Sequence, residues 1–291
     1  MRIIRYRDGS AVRLAAVTDR DETYPLEDAD FVALVNRAKR EGVTPLEAVR
    51  RQIGGAASLP GDWRRLELAV PIDAPEVWAA GVTYERSREA RNYEATGGKM
   101  DATTFYDKVY GAERPELFLK STAARTVGPG EEVCLRSDSH WQVPEPELGL
   151  VLDGGGAIVG YTVGNDMSCR DIEGENPLYL PQAKIWKRSC AIGPAIRLAE
   201  TVDDPYNLVI TCRIYRGGEP AVEESASTGK LKRKLEELAG YLKRDNVVFD
   251  GTVLLTGTCI VPPNQFSLLP GDRIEIEIGG IGTLVNIAAS A

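Results

Sequence analysis

The chain has 291 residues, 43% of them hydrophobic and 27% charged, an ordinary globular composition long enough for one or two packed domains. Thirty-five basic against 43 acidic residues leave a formal charge of −8, so the surface repels phosphates and neither nucleic acid nor an anionic membrane is expected as a partner. No apolar run approaches the roughly 18 residues of a membrane span. The opening MRIIRYRDGS mixes charge with apolar residues and forms no secretory h-region. The expectation is a cytoplasmic protein.

Residues 1–65 read as a small N-terminal α/β domain. A β-like start from Ile3 to Leu14 leads to a helix opened by Asp30, with Phe31, Leu34, Val35 and Ala38 at helical spacing and Gly42 as the stop. Thr44, Pro45 and Glu47 have the form of a capping box with proline at the first helical position, and Leu46, Val49 and Ile53 point inward. The second domain is expected over 66–291. Its texture is short β-rich runs: Val133 to Arg136, Leu148 to Leu152, Ile158 to Val163, Leu208 to Tyr215, Thr252 to Val261 and Arg273 to Ile278. One amphipathic helix follows Thr228, with Leu231, Leu235, Leu238 and Leu242 on one stripe. The fold class is therefore α+β, mostly β, a curled sandwich or roll. The polar stretch from Asn92 to Tyr110 reads as a lid.

Five cysteines (Cys134, Cys169, Cys190, Cys212 and Cys259) form no CxxC pair, which argues against a zinc ribbon and suits reduced, buried thiols. The chain has a single histidine, His140, so a Ser-His-Asp, Cys-His or histidine-bearing metal site would have to use it.

Three stretches carry chemistry. In Val143-Pro-Glu-Pro-Glu-Leu-Gly-Leu-Val-Leu152, strand alternation puts Glu145 and Glu147 on one side and Leu148, Leu150 and Leu152 on the other. An exposed edge strand would have the same pattern; if the carboxylates are buried, they need a proton or a cation between them. Asp166, ending an apolar strand, is either part of a turn or the third carboxylate of an oxygen-only cage suited to Mg²⁺ or Mn²⁺. Lys184 sits between Ala183 and Ile185-Trp186. Desolvation there would lower its pKa and make it a base, whereas a snorkelling lysine would keep its head in water.

Together the order PEPE, GYTVGNDMSCRD, LPQAKIW, AIGP and LLTGT resembles the fumarylacetoacetate hydrolase superfamily, from about Pro71 to the C-terminus. The resemblance implies a mixed β-sandwich roll. It makes Glu145, Glu147 and Asp166 ligands of a divalent metal, Mg²⁺ with Mn²⁺ or Ca²⁺ as alternatives, and the protein a homodimer or homotetramer. It also places Lys184, Arg170 and the Thr256–Thr258 turn at the active site.

Further segments, including Val77-Trp-Ala-Ala-Gly-Val-Thr-Tyr-Glu, Arg114-Pro-Glu-Leu-Phe-Leu-Lys120 and Glu175-Asn-Pro-Leu-Tyr-Leu-Pro-Gln, resemble the superfamily's dehydratases of 2-keto-3-deoxy sugar acids. That likeness implies Mg²⁺-dependent conversion of 2-keto-3-deoxy-D-arabinonate to 2,5-dioxopentanoate, a hydro-lyase step of pentose catabolism. Glu116 and Lys184 would be the acid–base pair; Arg170 and Thr258, by motif, and Ser87 and Lys120, by position, would contact a small 2-keto acid. Hydrolases of the superfamily carry a water-activating histidine in G-x-N-Y-x-x-H; here Gly81-Val-Thr-Tyr-Glu-Arg-Ser87 has serine in its place. That departure favours elimination over hydrolysis. The alternatives are an acylpyruvate or diketo-acid hydrolase, an oxaloacetate-type decarboxylase, and a catalytically inactive metal-binding protein.

Overall fold

A computed structural model describes residues 1–96 and 105–290. Its centre is an 11-stranded, mostly antiparallel sheet, against which a five-stranded sheet packs to form the sandwich. The strand Pro146–Leu152 shows why two layers cover the large sheet. Its Leu148, Leu150 and Leu152 face the smaller sheet, meeting Ile210, Ile214, Ile274 and Ile276 in one apolar cluster. Val151, on the opposite face, joins a second cluster with Phe31, Leu34 and Val49 from two helices. A strand apolar on both faces is what such a buried position requires.

The helices start and stop where their end residues dictate. Asp30 accepts the Ala33 N–H at 2.8 Å to open Phe31–Glu41, and Gly42, at φ +67°, ends it in the left-handed region. Thr44 caps Pro45–Ile53 by accepting the Glu47 N–H at 3.2 Å. The Glu47 carboxylate does not close the expected box; it pairs with Arg51 one turn on, at 2.5 Å. The amphipathic helix runs Leu235–Lys243, later than the stripe suggested. Thr228 is instead held in a 3₁₀ turn, with its hydroxyl donating to the Pro205 carbonyl at 2.8 Å.

Residues 1–65 are joined to the large sheet by main-chain pairing. The hairpin Arg2–Asp8 and Ala11–Val17 adds its first strand to Cys190–Leu198. In the expected lid, Asn92 to Thr96 end the helix Glu85–Thr96 and Tyr106 to Tyr110 lie in the helix Phe105–Gly111; 97–104 lie outside the described residues. No helix among the described residues is long and apolar enough to cross a membrane.

Candidate active site and metal centre

Antiparallel pairing assembles the carboxylates. Glu145 and Glu147 stand at the start of Pro146–Leu152, and Asp166 ends the neighbouring strand Ile158–Asp166. The register sets Pro146 opposite Asn165, and the Asp166 N–H donates to the Glu145 carbonyl at 3.0 Å. One oxygen from each of Glu145, Glu147 and Asp166 lies within 4.8 Å of the others, and all three residues are buried. The reading of an exposed edge strand is thereby excluded, as is a simple surface turn at Asp166.

On the other flank, Thr252–Thr258 pairs with the glutamate strand, with Thr258 opposite Glu147. Gly257 lies at φ +95°, and its N–H donates to Glu147 Oε2 at 2.6 Å. A Cβ there would fall 1.9 Å from Thr83 Oγ1, so only glycine lets the turn approach the carboxylate.

Lys184 arrives from a different direction. Asn176 caps a 3₁₀ turn, Pro177–Tyr179, by accepting the Leu178 N–H at 2.9 Å, and the short helix Leu180–Lys184 follows. The ammonium is fully buried. It donates to Glu145 Oε2 at 2.7 Å, Asp166 Oδ2 at 3.2 Å and Ser168 Oγ at 2.5 Å. The side chain therefore does not snorkel to water, and the expected net lowering of its pKa is not found. Burial does work to lower its pKa, but Asp166 and Glu145 outweigh it and hold the amine above its ordinary range. Conversely, burial works to raise the Glu145 carboxyl, and Lys184 and Arg170 hold it well below the usual carboxylate range.

The other expected contact residues divide by what they touch. Lys120 is fully buried, 2.7 Å from Asp166 Oδ1, and donates to the carbonyls of Met167 (2.7 Å) and Lys184, so it braces the Lys184 backbone. Arg170 Nη2 donates to Glu145 Oε1 at 2.9 Å, and its Nη1 pairs with Glu94. The Thr258 hydroxyl is engaged by the main chain, 3.1 Å from the Pro146 carbonyl and 2.8 Å from the Ile260 carbonyl. Ser87 is buried on the helix Glu85–Thr96.

Glu116 opens the strand Glu116–Ser121, with its Oε2 buried and without a hydrogen bond. Burial pushes its carboxyl up, and Arg91 and Lys184 pull it down. Gly81 makes room for it, since a Cβ there would lie 2.0 Å from Glu116 Oε2. We therefore expect Gly81→Ala to displace the carboxylate and reduce kcat by about 100-fold, as misplacing a reacting group does. Metal binding by calorimetry should be retained; unchanged turnover would remove Glu116 from the chemistry.

The charge inventory tests whether a cation fits. Among the described residues, six carboxylates (Glu94, Glu116, Glu145, Glu147, Asp166 and Glu173) gather with four cations (Arg91, Lys120, Arg170 and Lys184). The difference of two negative charges is what one divalent ion neutralises. Glu147 shows the strain most plainly: burial, Asp166 and Glu145 all push its carboxyl up, and no side-chain cation contacts it among the described residues. An oxygen-only donor set of this kind suits Mg²⁺ or Mn²⁺.

The family of fumarylacetoacetate (FAA) hydrolases, in its C-terminal domain, matches residues 87–288. The chain belongs to this family. It is 50% identical over 220 residues to 2-dehydro-3-deoxy-D-arabinonate dehydratase of Saccharolobus solfataricus, covering 76% of this chain and 74% of the relative. A probable 2-keto-3-deoxyxylonate dehydratase of Haloferax volcanii is 51% identical over 217 residues, covering 75% and 73%. Among solved structures, a 2-keto-3-deoxy-D-arabinonate dehydratase complexed with magnesium and 2,5-dioxopentanoate superimposes with TM-score 0.85 at 38% identity. It covers 100% of this chain and 99% of that one.

His140 lies outside the cluster. Its side chain is 90% exposed, and Nδ1 stands 2.9 Å from Asp171 Oδ2 in a surface turn. His140→Ala should leave turnover within about threefold of the parent; a loss of roughly 10³, the scale of a missing general base, would restore a hydrolytic mechanism.

The structure adds residues that sequence reading missed: Arg91, Glu94, Ser168, Glu173 and Gly81. A signal existed. Ser87, Arg91 and Glu94 fall at i, i+4 and i+7, so this helix turns a polar face inward where an apolar one would be ordinary.

Proposed function

We propose that this protein is a divalent-metal-dependent hydro-lyase that dehydrates a 2-keto-3-deoxy sugar acid, 2-keto-3-deoxy-D-arabinonate, to 2,5-dioxopentanoate. One observation carries the reading: the buried cluster of Glu145, Glu147 and Asp166 has two proton-carrying groups beside it, Lys184 and Glu116, in a chain 50% identical to such a dehydratase.

Glu145, Glu147 and Asp166 would hold the ion, which when bound supplies Lewis-acid stabilisation of negative charge on the substrate's 2-keto group. The chain's own residues do the rest. The C3 protons are acidic because they lie beside the carbonyl. One of Glu116 and Lys184 takes a C3 proton; the other, protonated, delivers a proton to the C4 hydroxyl, which leaves as water. The C3–C4 alkene then shifts its double bond to C4–C5, and the resulting enol becomes the C5 aldehyde. Lys120 holds Lys184 in place from behind, Arg170 orients Glu145, and Thr258 fixes the turn against Glu147. Ser87 lies on the same helix face as Arg91 and contacts substrate in this scheme.

Hydrolysis would need a water-activating base where Ser87 stands, and the only histidine is at the surface. The assembly is proposed as a homodimer or homotetramer on the strength of the family resemblance. The cytoplasm is its proposed compartment, since all five cysteines are buried and unpaired.

With 2-keto-3-deoxy-D-arabinonate and Mg²⁺, the protein should release 2,5-dioxopentanoate, read through a coupled aldehyde dehydrogenase, and should cleave acylpyruvates far more slowly. Faster acylpyruvate cleavage would replace this reading with the hydrolase one.

A further inference from the structure

Two helices meet beside the acid–base pair through crossed charges. Helix Glu85–Thr96 presents Arg91 and Glu94, and the short helix Arg170–Glu175 presents Arg170 and Glu173, each pair at i, i+3. Arg91 pairs with Glu173, and Glu94 with Arg170. Arg91 and Glu173 are 3% and 1% exposed, and Glu173 Oε1 lies 3.9 Å from Lys184 Nζ.

These groups are not saturated. Glu173 Oε2, Glu94 Oε2, Glu116 Oε2 and Arg91 Nε have no hydrogen bond, and all of these atoms are buried. The residues that carry them adjoin one another: Arg91 pairs with Glu173, Glu94 with Arg170, and Arg170 with Glu145. Buried polar atoms left unpaired cost about 1–3 kcal/mol each, and several in one place mark where a polar ligand belongs. Glu173 lies beside Lys184, whose ammonium contacts the metal carboxylates Glu145 and Asp166. The acid–base pair works at C3 and C4, so a group beside Lys184 is within reach of the next substrate carbon, C5.

We propose that Glu173 and Arg91 are the residues that recognise the substrate's terminal C5 hydroxyl. The Glu173 carboxylate accepts the hydroxyl proton, and the Arg91 guanidinium, held against Glu173, donates to the hydroxyl oxygen. The inference rests on the dehydratase reading and deepens it by assigning chain-end specificity. Sites built to bind a hydroxyl discriminate strongly against the analogue lacking it, because their own buried groups are then left unpaired.

The probe is 4-hydroxy-2-oxopentanoate, which keeps the C4 leaving group and the acidic C3 protons but ends in a methyl group. The parent protein should prefer the C5-hydroxylated substrate by at least about 100-fold in kcat/KM. Glu173→Gln exchanges a charged acceptor for a neutral one of the same shape and should lower that preference about tenfold. Arg91→Lys keeps the charge without the guanidinium fork and should lower it in the same direction. Both reactions are read on one preparation, so partial misfolding cancels from the ratio. Equal rates for the two substrates in the parent protein would overturn the recognition proposal while leaving the dehydratase standing. An unchanged ratio in both variants would overturn it as well. Dehydration of neither substrate by the parent would overturn the function and this inference together.

Discussion

Glu147→Gln should leave the protein folded and unable to retain its divalent ion. Glu147 contributes one of three clustered carboxylates, and loss of even an outer partner of a metal ligand typically costs 10–100-fold in affinity. Loss of a ligand itself should exceed about 100-fold by calorimetry, with dehydration falling in step at fixed Mg²⁺. Stability should move the other way. Burial and two neighbouring carboxylates already push the Glu147 carboxyl up, so a neutral isostere relieves repulsion while its amide oxygen still accepts the Gly257 N–H. The ion-free variant should therefore melt no lower than the ion-free parent. The rise in melting temperature that Mg²⁺ gives the parent should be lost, since only a ligand that binds the native state shifts that equilibrium. Full activity in chelator, with no recoverable metal, would rule out the carboxylate cage.

Lys184→Met should suppress dehydration by about 10²–10⁴-fold, the usual consequence of removing a proton-transfer group. The structure adds a second expectation that distinguishes a catalytic from a merely structural lysine. The ammonium is itself the counter-ion of Glu145 and Asp166, at 2.7 and 3.2 Å. Removing it leaves buried charge uncompensated, which costs about 3–5 kcal/mol in the ion-free protein. The same excess negative charge should make the cage bind Mg²⁺ as tightly as the parent or more so. The expected signature is a less stable apoprotein, undiminished metal affinity and lost turnover. Dehydration at the parental rate would remove Lys184 from the chemistry.

Local pattern was enough for several elements. Arg273–Ile278 alternates strictly between charged and apolar residues and is a strand over those same residues. Asp30 and Gly42 bound a helix because their preferences act within one turn of backbone. The strand Cys190–Leu198 was invisible for the opposite reason. Gly193 and Pro194 interrupt it, and a proline inside a strand normally argues against one. The register shifts opposite Tyr161 and Val163, which lets the strand continue past the proline and pair with the N-terminal hairpin. Such pairing depends on partners far along the chain and leaves no local trace.

The site divides along the same line. The residue types alone restricted any imidazole chemistry to His140 and offered carboxylates as the alternative donors, with the choice among them coming from the family resemblance. They also determined that Glu145 and Glu147 share one side of a strand, because alternation is a property of the backbone. Only the tertiary structure decided how these groups are charged. Lys184 reads as a desolvated amine among apolar neighbours, yet Asp166 and Glu145 reach it at 3.2 and 2.7 Å and hold its pKa above the ordinary range. Arg91 and Glu173, which the sequence reading did not single out, are buried against each other beside that lysine. A side chain's protonation and partners follow from which charges the fold brings within a few ångströms in a medium of low polarity. Coulomb interactions there are strong but short-ranged, and sequence separation does not determine distance.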